Sequence, residues 1–184
     1  GQDITGLPVY RISCLGIGRK FQVPSLFEEL TVFDNLRAPY FARQKPRMLA
    51  TSKTDAQVRQ EISEILESIH LTDKVSEKAV NLAHGQRQWL EIGMVLSSRP
   101  RLMLLDEPTA GMTVKETRQT AALIQDISRQ TGLAIVVIEH DITFVREVAS
   151  RVIVMNKGGI FRQGSYRDIQ EDPEVRDIYL GRRR

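Results

Sequence analysis

The segment Leu102–Pro108 constrains this chain more than any other. Leu102, Met103, Leu104 and Leu105 run without a polar break, as expected of a strand buried on both faces of a parallel sheet. The run stops at two adjacent acids, Asp106 and Glu107, followed by Pro108, which cannot continue a central strand. Open α/β sheets gather ligands at the carboxyl ends of their strands. Two carboxylates delivered there can reach a metal-bound phosphate and a water together. An apolar strand ending in one acid is common; four apolar residues, two acids and a proline make a much narrower pattern.

Upstream, Leu82-Ala83-His84-Gly85-Gln86 precedes a helical pattern of Trp89, Leu90, Ile92, Gly93, Met94 and Leu96 that ends before Arg99-Pro100. A glycine just ahead of a helix lets backbone N–H groups approach an anion, which the helix dipole also favours. At this point the chain resembles the ATPases of ATP-binding-cassette (ABC) transporters. Leu82–Gln86 is similar to their signature motif, and Leu102–Pro108 to their Walker B strand. Thr109-Ala110-Gly111-Met112 is similar to their D-loop. The ordered set of motifs, spread over the whole chain, makes the likeness specific.

Composition agrees with one ordinary globular domain. At 184 residues, 41% apolar and 27% charged, the chain is long enough to bury a core and has the balance of a globular protein. No apolar run approaches the roughly 20 residues that span a bilayer, and no signal-peptide pattern opens the chain. The single cysteine, Cys14, excludes an internal disulfide, suits a reducing compartment, and reads as core filler. A net charge of +3 is mild. Arg182-Arg183-Arg184 reads as a solvated tail rather than a nucleic-acid or lipid site. His70, His84 and His140 fall in different elements, which argues against a zinc site.

Taken in order, the turn-rich start at Gly1 reads as the middle of a longer protein. Arg11, Ile12 and Leu15 fit a short amphipathic helix. Gly16-Ile17-Gly18 lacks the G-x-x-x-x-G-K-[ST] spacing of a phosphate loop, and no such loop occurs in these 184 residues. The expectation is therefore a fragment that binds ATP poorly by itself. Gln22 lies between a strand-like piece and Pro24, with Leu26 and Phe27 beyond. Thr31 opens a helix that either bends at Pro39 or runs on past it, and Lys45–Lys53 is a basic loop. Thr54 and Gln57 form a capping box ahead of a helix with Val58, Ile62, Ile65, Leu66 and Ile69 on one core-facing side.

After the acids, a helix over Glu116–Arg129 presents Thr117, Ala121, Ile124 and Ser128 on one side, and Thr131-Gly132 stops it. Leu133–Ile138 reads as a second buried strand, with Glu139-His140-Asp141 at its carboxyl end. Arg151–Met155 and Ile160–Gly164 form a hairpin around a glycine-rich turn. Ser165 and Asp168 cap a short helix, and Pro173 opens the last one.

The resemblance supplies roles that spacing alone does not. It implies an α/β, P-loop NTPase-like ABC domain, truncated at its N-terminus. The implied divisions are a helical subdomain over about 31–98, a core with Walker B, D-loop and switch histidine over 99–164, and terminal helices over 165–184. It implies ATP and Mg²⁺ as cofactors. Asp106 would hold Mg²⁺ through water, and Glu107 would polarise the attacking water. Gln22 would sense Mg²⁺ and the γ-phosphate, which His140 would contact. Leu82, Ala83, His84, Gly85 and Gln86 would serve the opposite subunit's nucleotide, with Ala83 standing where the family usually has Ser. Ala110, Gly111 and Met112 would form the D-loop, and Pro24, Leu26 and Phe27 the dock for a permease.

The implied partners are transmembrane permease subunits, a second ABC ATPase subunit and, indirectly, a substrate-binding protein, with no nucleic acid. The implied location is the cytoplasmic face of the cell membrane, held peripherally. Gln88-Trp89 and Met112-Thr113 are similar to the urea-importer type, whereas branched-chain amino-acid subunits typically carry a basic pair and Leu-Asn there. Urea, or short-chain amides, is thus the preferred cargo and branched-chain amino acids the alternative. A non-catalytic module docking to a permease or partner ATPase is the competing class. DNA-repair ATPases share some motifs but require long heptad repeats, which are absent.

Overall fold

The computed structural model describes residues 2–21, 25–42 and 55–179. Gln22, Pro24, the Lys45–Lys53 loop, Thr54 and the Arg182–Arg184 tail lie outside the described residues. The chain divides into two units, Gly1–Ile138 and Glu139–Arg184, and each is considered by itself.

The first unit opens with α1 (Val9–Cys14), β1 (Ile17–Lys20) and α2 (Val32–Ala42). It continues with α3 (Asp55–Ser68), α4 (His84–Ser97), β2 (Leu102–Asp106), α5 (Val114–Thr131) and β3 (Ala134–Ile138). The three strands form a parallel sheet in the order β1-β2-β3. Register pairs Lys20 with Leu105 and Asp106 with Ile138, so β2 delivers its acids at the carboxyl edge, as the apolar run implies.

Burial corrects several expectations. On β2 only Met103 and Leu105 are fully buried; Leu102 and Leu104 are half-buried, because one face of the sheet is better covered than the other. β3 is not a buried strand. Among the described residues it pairs only with β2, and Val136 and Ile138 are 51% and 62% exposed, as suits the last strand of the described sheet. α1 buries none of its residues, and Cys14 is exposed rather than core filler.

The core sits where α2, α3 and α4 meet. Leu36, Val58, Ile62, Ile69, Leu71, Leu90 and Ile92 are all buried there, each worth about 1.5–3 kcal/mol relative to exposure. Gly93 makes the approach possible: a Cβ there would lie 2.6 Å from Ile69 Cδ1 and 2.9 Å from Leu36 Cδ2. Pro39 stays inside α2 without ending it. α5 starts two residues earlier than expected and ends two later, with Thr113 as N-cap and Gly132, at φ +66°, as C-cap. Its buried side is Thr120, Ala121, Leu123, Ile124 and Ile127; Ala121 and Ile124 of the expected face are buried, whereas Thr117 and Ser128 lie half-buried at its margin, since the apolar residues outweigh the small polar ones in choosing the inward direction.

The second unit holds α6 (Ile142–Val148), β4 (Val152–Asn156), β5 (Gly159–Gly164), α7 (Tyr166–Glu171) and α8 (Pro173–Tyr179). β4 and β5 form the expected antiparallel hairpin. Its turn residues Lys157 and Gly158 both have positive φ, +50° and +80°, the geometry that matches the twist of paired strands. Ser165 and Asp168 close the expected capping box on α7. No helix among the described residues is long and apolar enough to cross a membrane.

Candidate functional site

The carboxyl end of β2 carries the chemistry. Asp106 is partly exposed and accepts a hydrogen bond from Arg19 Nη2 at 3.1 Å. The same guanidinium lies 4.6 Å from the Phe21 ring centroid. Glu107 follows with φ +43°, and its N–H donates to the Ile138 carbonyl at 2.9 Å. That bond locks the turn after β2 against the end of β3. Beyond it, Ala110 N–H bonds to Glu107 O at 3.2 Å and Met112 N–H to Thr109 O at 3.1 Å, so Thr109–Met112 is a tight, internally bonded loop.

The signature residues meet this loop. His84 Nε2 lies 2.9 Å from the Ala110 carbonyl; since a carbonyl only accepts, the imidazole carries a hydrogen on Nε2. Gly111 has φ +73°, and a Cβ on it would lie 3.0 Å from His84 Nε2, so conformation and space both require glycine there. Glu116 anchors the other side. Its Oε2 accepts from the Thr113 hydroxyl at 2.7 Å and the Thr113 N–H at 2.9 Å. These bonds, the hydroxyl first, hold the Glu116 carboxyl below the usual carboxylate range, with a smaller contribution from the Gly85 backbone. A Cβ on Gly85 would meet Glu116 Oε1 at 2.7 Å. The signature turn, the D-loop and the start of α5 are thus one packed assembly.

Ala83 caps α4 by half. Its N–H donates to Gln86 Oε1 at 3.1 Å, but with no side-chain oxygen it returns nothing to the first turn of the helix. The hydroxyl that a serine would add at this turn is missing. Leu82 is buried beneath this turn.

The other predicted members are each described within their own unit. His140 belongs to the second unit, with its side chain 79% exposed and Nδ1 at 3.8 Å from Glu139 Oε2. Asp141 caps α6 through the Thr143 N–H at 2.8 Å. Leu26 is half-buried, whereas Phe27 is 52% exposed. The Phe27 backbone is held on both sides by buried Asn35, which accepts its N–H at 2.9 Å and donates to its carbonyl at 3.0 Å.

Sequence reasoning missed Arg19, Lys20, Asn35 and Glu91. The signal for Lys20 and Glu91 was available: strand alternation turns Lys20 inward, and Glu91 interrupts the apolar run of α4.

The donor set fits a magnesium–nucleotide complex better than a protein-caged metal. No group of three His, Cys, Asp or Glu side chains among the described residues could hold a metal ion. Mg²⁺ commonly binds through one or two carboxylates, completing its shell with water and substrate phosphates. Asp106 at an open strand end offers that carboxylate.

Comparison with known proteins agrees with this assembly of motifs. The ABC transporter family profile matches residues 1–110. The chain is 35% identical over 188 residues to the high-affinity branched-chain amino acid transport ATP-binding protein BraF of Pseudomonas aeruginosa, covering 98% of this chain and 74% of that one. Its fold matches the ADP conformation of MJ1267, an ATP-binding cassette of an ABC transporter, with TM-score 0.82, 28% identity, and coverage of 98% of this chain and 74% of that chain. It also resembles a dimeric, post-hydrolysis cassette, MJ0796, bound to ADP and Pi, with TM-score 0.71, 25% identity, and coverage of 85% and 65%. The chain belongs to the ABC transporter family. It is an ATP-binding domain of the class that hydrolyses ATP.

Proposed function

We propose that this chain is the Mg²⁺-dependent ATPase of an importer of the branched-chain amino-acid type, held peripherally at the cytoplasmic face of the membrane. The observation that carries the catalytic part is the β2 edge, where Asp106 and a conformationally constrained Glu107 stand side by side. The likeness to BraF supports the cargo class. It favours branched-chain amino acids over the urea reading that Gln88-Trp89 and Met112-Thr113 suggest.

Packing explains why those residues carry little weight. Trp89 Nε1 donates to Thr120 Oγ1 at 2.9 Å, and Thr120 Oγ1 lies 3.2 Å from Met112 Sδ. Trp89 and Met112 are therefore neighbours in one interior contact. Fit to that contact is enough to account for both residues, and neither is evidence of a transported solute.

In the proposed mechanism Mg²⁺, when bound, neutralises phosphate charge. Asp106 offers it a carboxylate through water. Glu107 orients and polarises the attacking water. Gln22 and His140 address the γ-phosphate, and the Gly85 turn presents N–H groups to the nucleotide of the opposite cassette. Leu82, Ala83, His84 and Gln86 shape that turn, while Ala110, Gly111 and Met112 brace it. Catalysis of this kind is positioning and charge stabilisation. Pro24, Leu26 and Phe27 form the permease dock.

The test is Glu107→Gln in the full-length protein. Nucleotide binding is retained and turnover falls by about 10²–10⁴, the usual range for a lost proton-transfer or polarising group. Undiminished turnover in the variant removes Glu107 from the role. A full-length protein with no turnover at all leaves the non-catalytic docking module as the reading.

A further inference from the structure

Lys20 and Glu91 are two charges shut away from water within the first unit. Lys20 ends β1 and is 3% exposed, and Glu91 sits mid-way along α4 and is 4% exposed. Lys20 Nζ lies 3.3 Å from Glu91 Oε2. That is close enough for attraction but off the line of a hydrogen bond, so Oε2 has no hydrogen-bond donor among the described residues. A buried ion pair is a poor stabiliser, because desolvating both charges offsets their attraction and a packed apolar pair of similar size does as well or better.

The remaining contacts of the pair give it a different reason. Lys20 Nζ donates to the Phe21 carbonyl at 3.3 Å. Glu91 Oε1 accepts the Ser25 N–H at 2.7 Å. One buried pair thus grips both flanks of residues 22–24. Beyond Ser25 the grip passes to Asn35 on α2, which bonds the Phe27 backbone and the carbonyls of Leu30 and Thr31 at 3.0–3.3 Å. Glu91 also shares α4 with Gly85, roughly 9 Å away at 1.5 Å per residue.

We propose that Lys20 and Glu91 are a positioning pair that couples the permease dock to the signature end of α4. A displacement of Phe27 is carried by Ser25 to Glu91 and along the rigid helix to Gly85, while Lys20 references the movement to the sheet. The inference rests on the docking and signature roles proposed above.

The test uses the full-length subunit assembled with its permease in lipid vesicles, with substrate-stimulated and unstimulated ATP turnover measured in parallel. The parent's Glu107-dependent turnover, established first, checks the underlying reading separately. In the double variant Lys20→Met with Glu91→Leu the interior stays filled and loses both charges. Tm holds within a few degrees, and the ratio of stimulated to unstimulated turnover falls about tenfold, a common size for a coupling between sites. The exchanged pair, Lys20→Glu with Glu91→Lys, keeps a buried ion pair but cannot accept the Ser25 N–H, and it is expected to lose the same ratio. A merely structural pair predicts the reverse: lowered Tm in the apolar variant and stimulation intact in the exchanged one. Retained stimulation in either folded variant overturns the proposal.

Discussion

Glu107 is the residue at which chemistry and conformation collide. Its φ of +43° places a non-glycine residue in the left-handed region, which costs an L-residue about 1–2 kcal/mol. The cost is met by the bond from its N–H to the Ile138 carbonyl, and strain of this kind gathers at functional sites. Comparison of Glu107→Gly with Glu107→Ala isolates the term, because both variants remove the carboxylate and only one keeps a Cβ. The glycine variant is expected to be the more stable by about 1 kcal/mol, or about 2–4 °C in Tm for a chain of this size. An alanine variant that melts at the same temperature or higher would show that the turn is unstrained. The identity of Glu107 as a candidate was plain from its place after an apolar run; its backbone conformation was not, because no neighbour in sequence demands it.

At the scale of elements, the caps decide where helices begin. Glu116 looked like the start of α5, yet the helix starts at Val114 because Thr113 and Glu116 satisfy each other's N–H groups. Acid at the third helical position is part of a capping box rather than the helix opening. That exchange also fixes a pH dependence. The Thr113 bonds lower the Glu116 pKa from its ordinary 4.5, so the folded state binds its proton less readily than the unfolded state. Stabilisation from this source is present above the unfolded value and is lost as pH falls through the lower, folded one. Replacing Thr113 by Ala should therefore lower Tm near neutral pH, with the gap to the parent narrowing as pH falls below about 4.5. Thermal melts of both proteins across that range decide it, and a gap that stays constant would assign the whole effect to the lost N-cap hydroxyl. The Thr–Glu spacing was visible in the sequence, but its contact with the Gly85 turn was not, since that depends on packing between segments far apart in the chain.

For the whole molecule, local pattern placed nearly every element, and tertiary context set how each one is buried. The apolar runs at Leu102–Leu105 and Leu133–Ile138 read alike, yet β2 is interior and β3 terminal in the described sheet, a difference that depends on strand order. The pairing of Lys20 with Glu91 was illegible for the same reason, although each inward charge was signalled within its own element. Phe27 raises the question at the scale of assembly. An aromatic residue in an apolar stretch reads equally as core or as anchor, but here its side chain is 52% exposed while its backbone is clamped by Asn35. A large apolar side chain held outward on a fixed backbone loses little further entropy on being covered. Such anchors contribute about 2 kcal/mol or more when they are hot spots, close to a 30-fold change in affinity. Phe27→Ser in the full-length protein is accordingly expected to weaken recovery with the permease by that order, leaving ATP affinity unchanged. Its Tm should stay close to the parent's, because little buried surface is removed. Co-purification, nucleotide titration and melting are measured on the same preparation. Loss of Tm with assembly intact would make Phe27 a core residue and move the dock elsewhere on the domain.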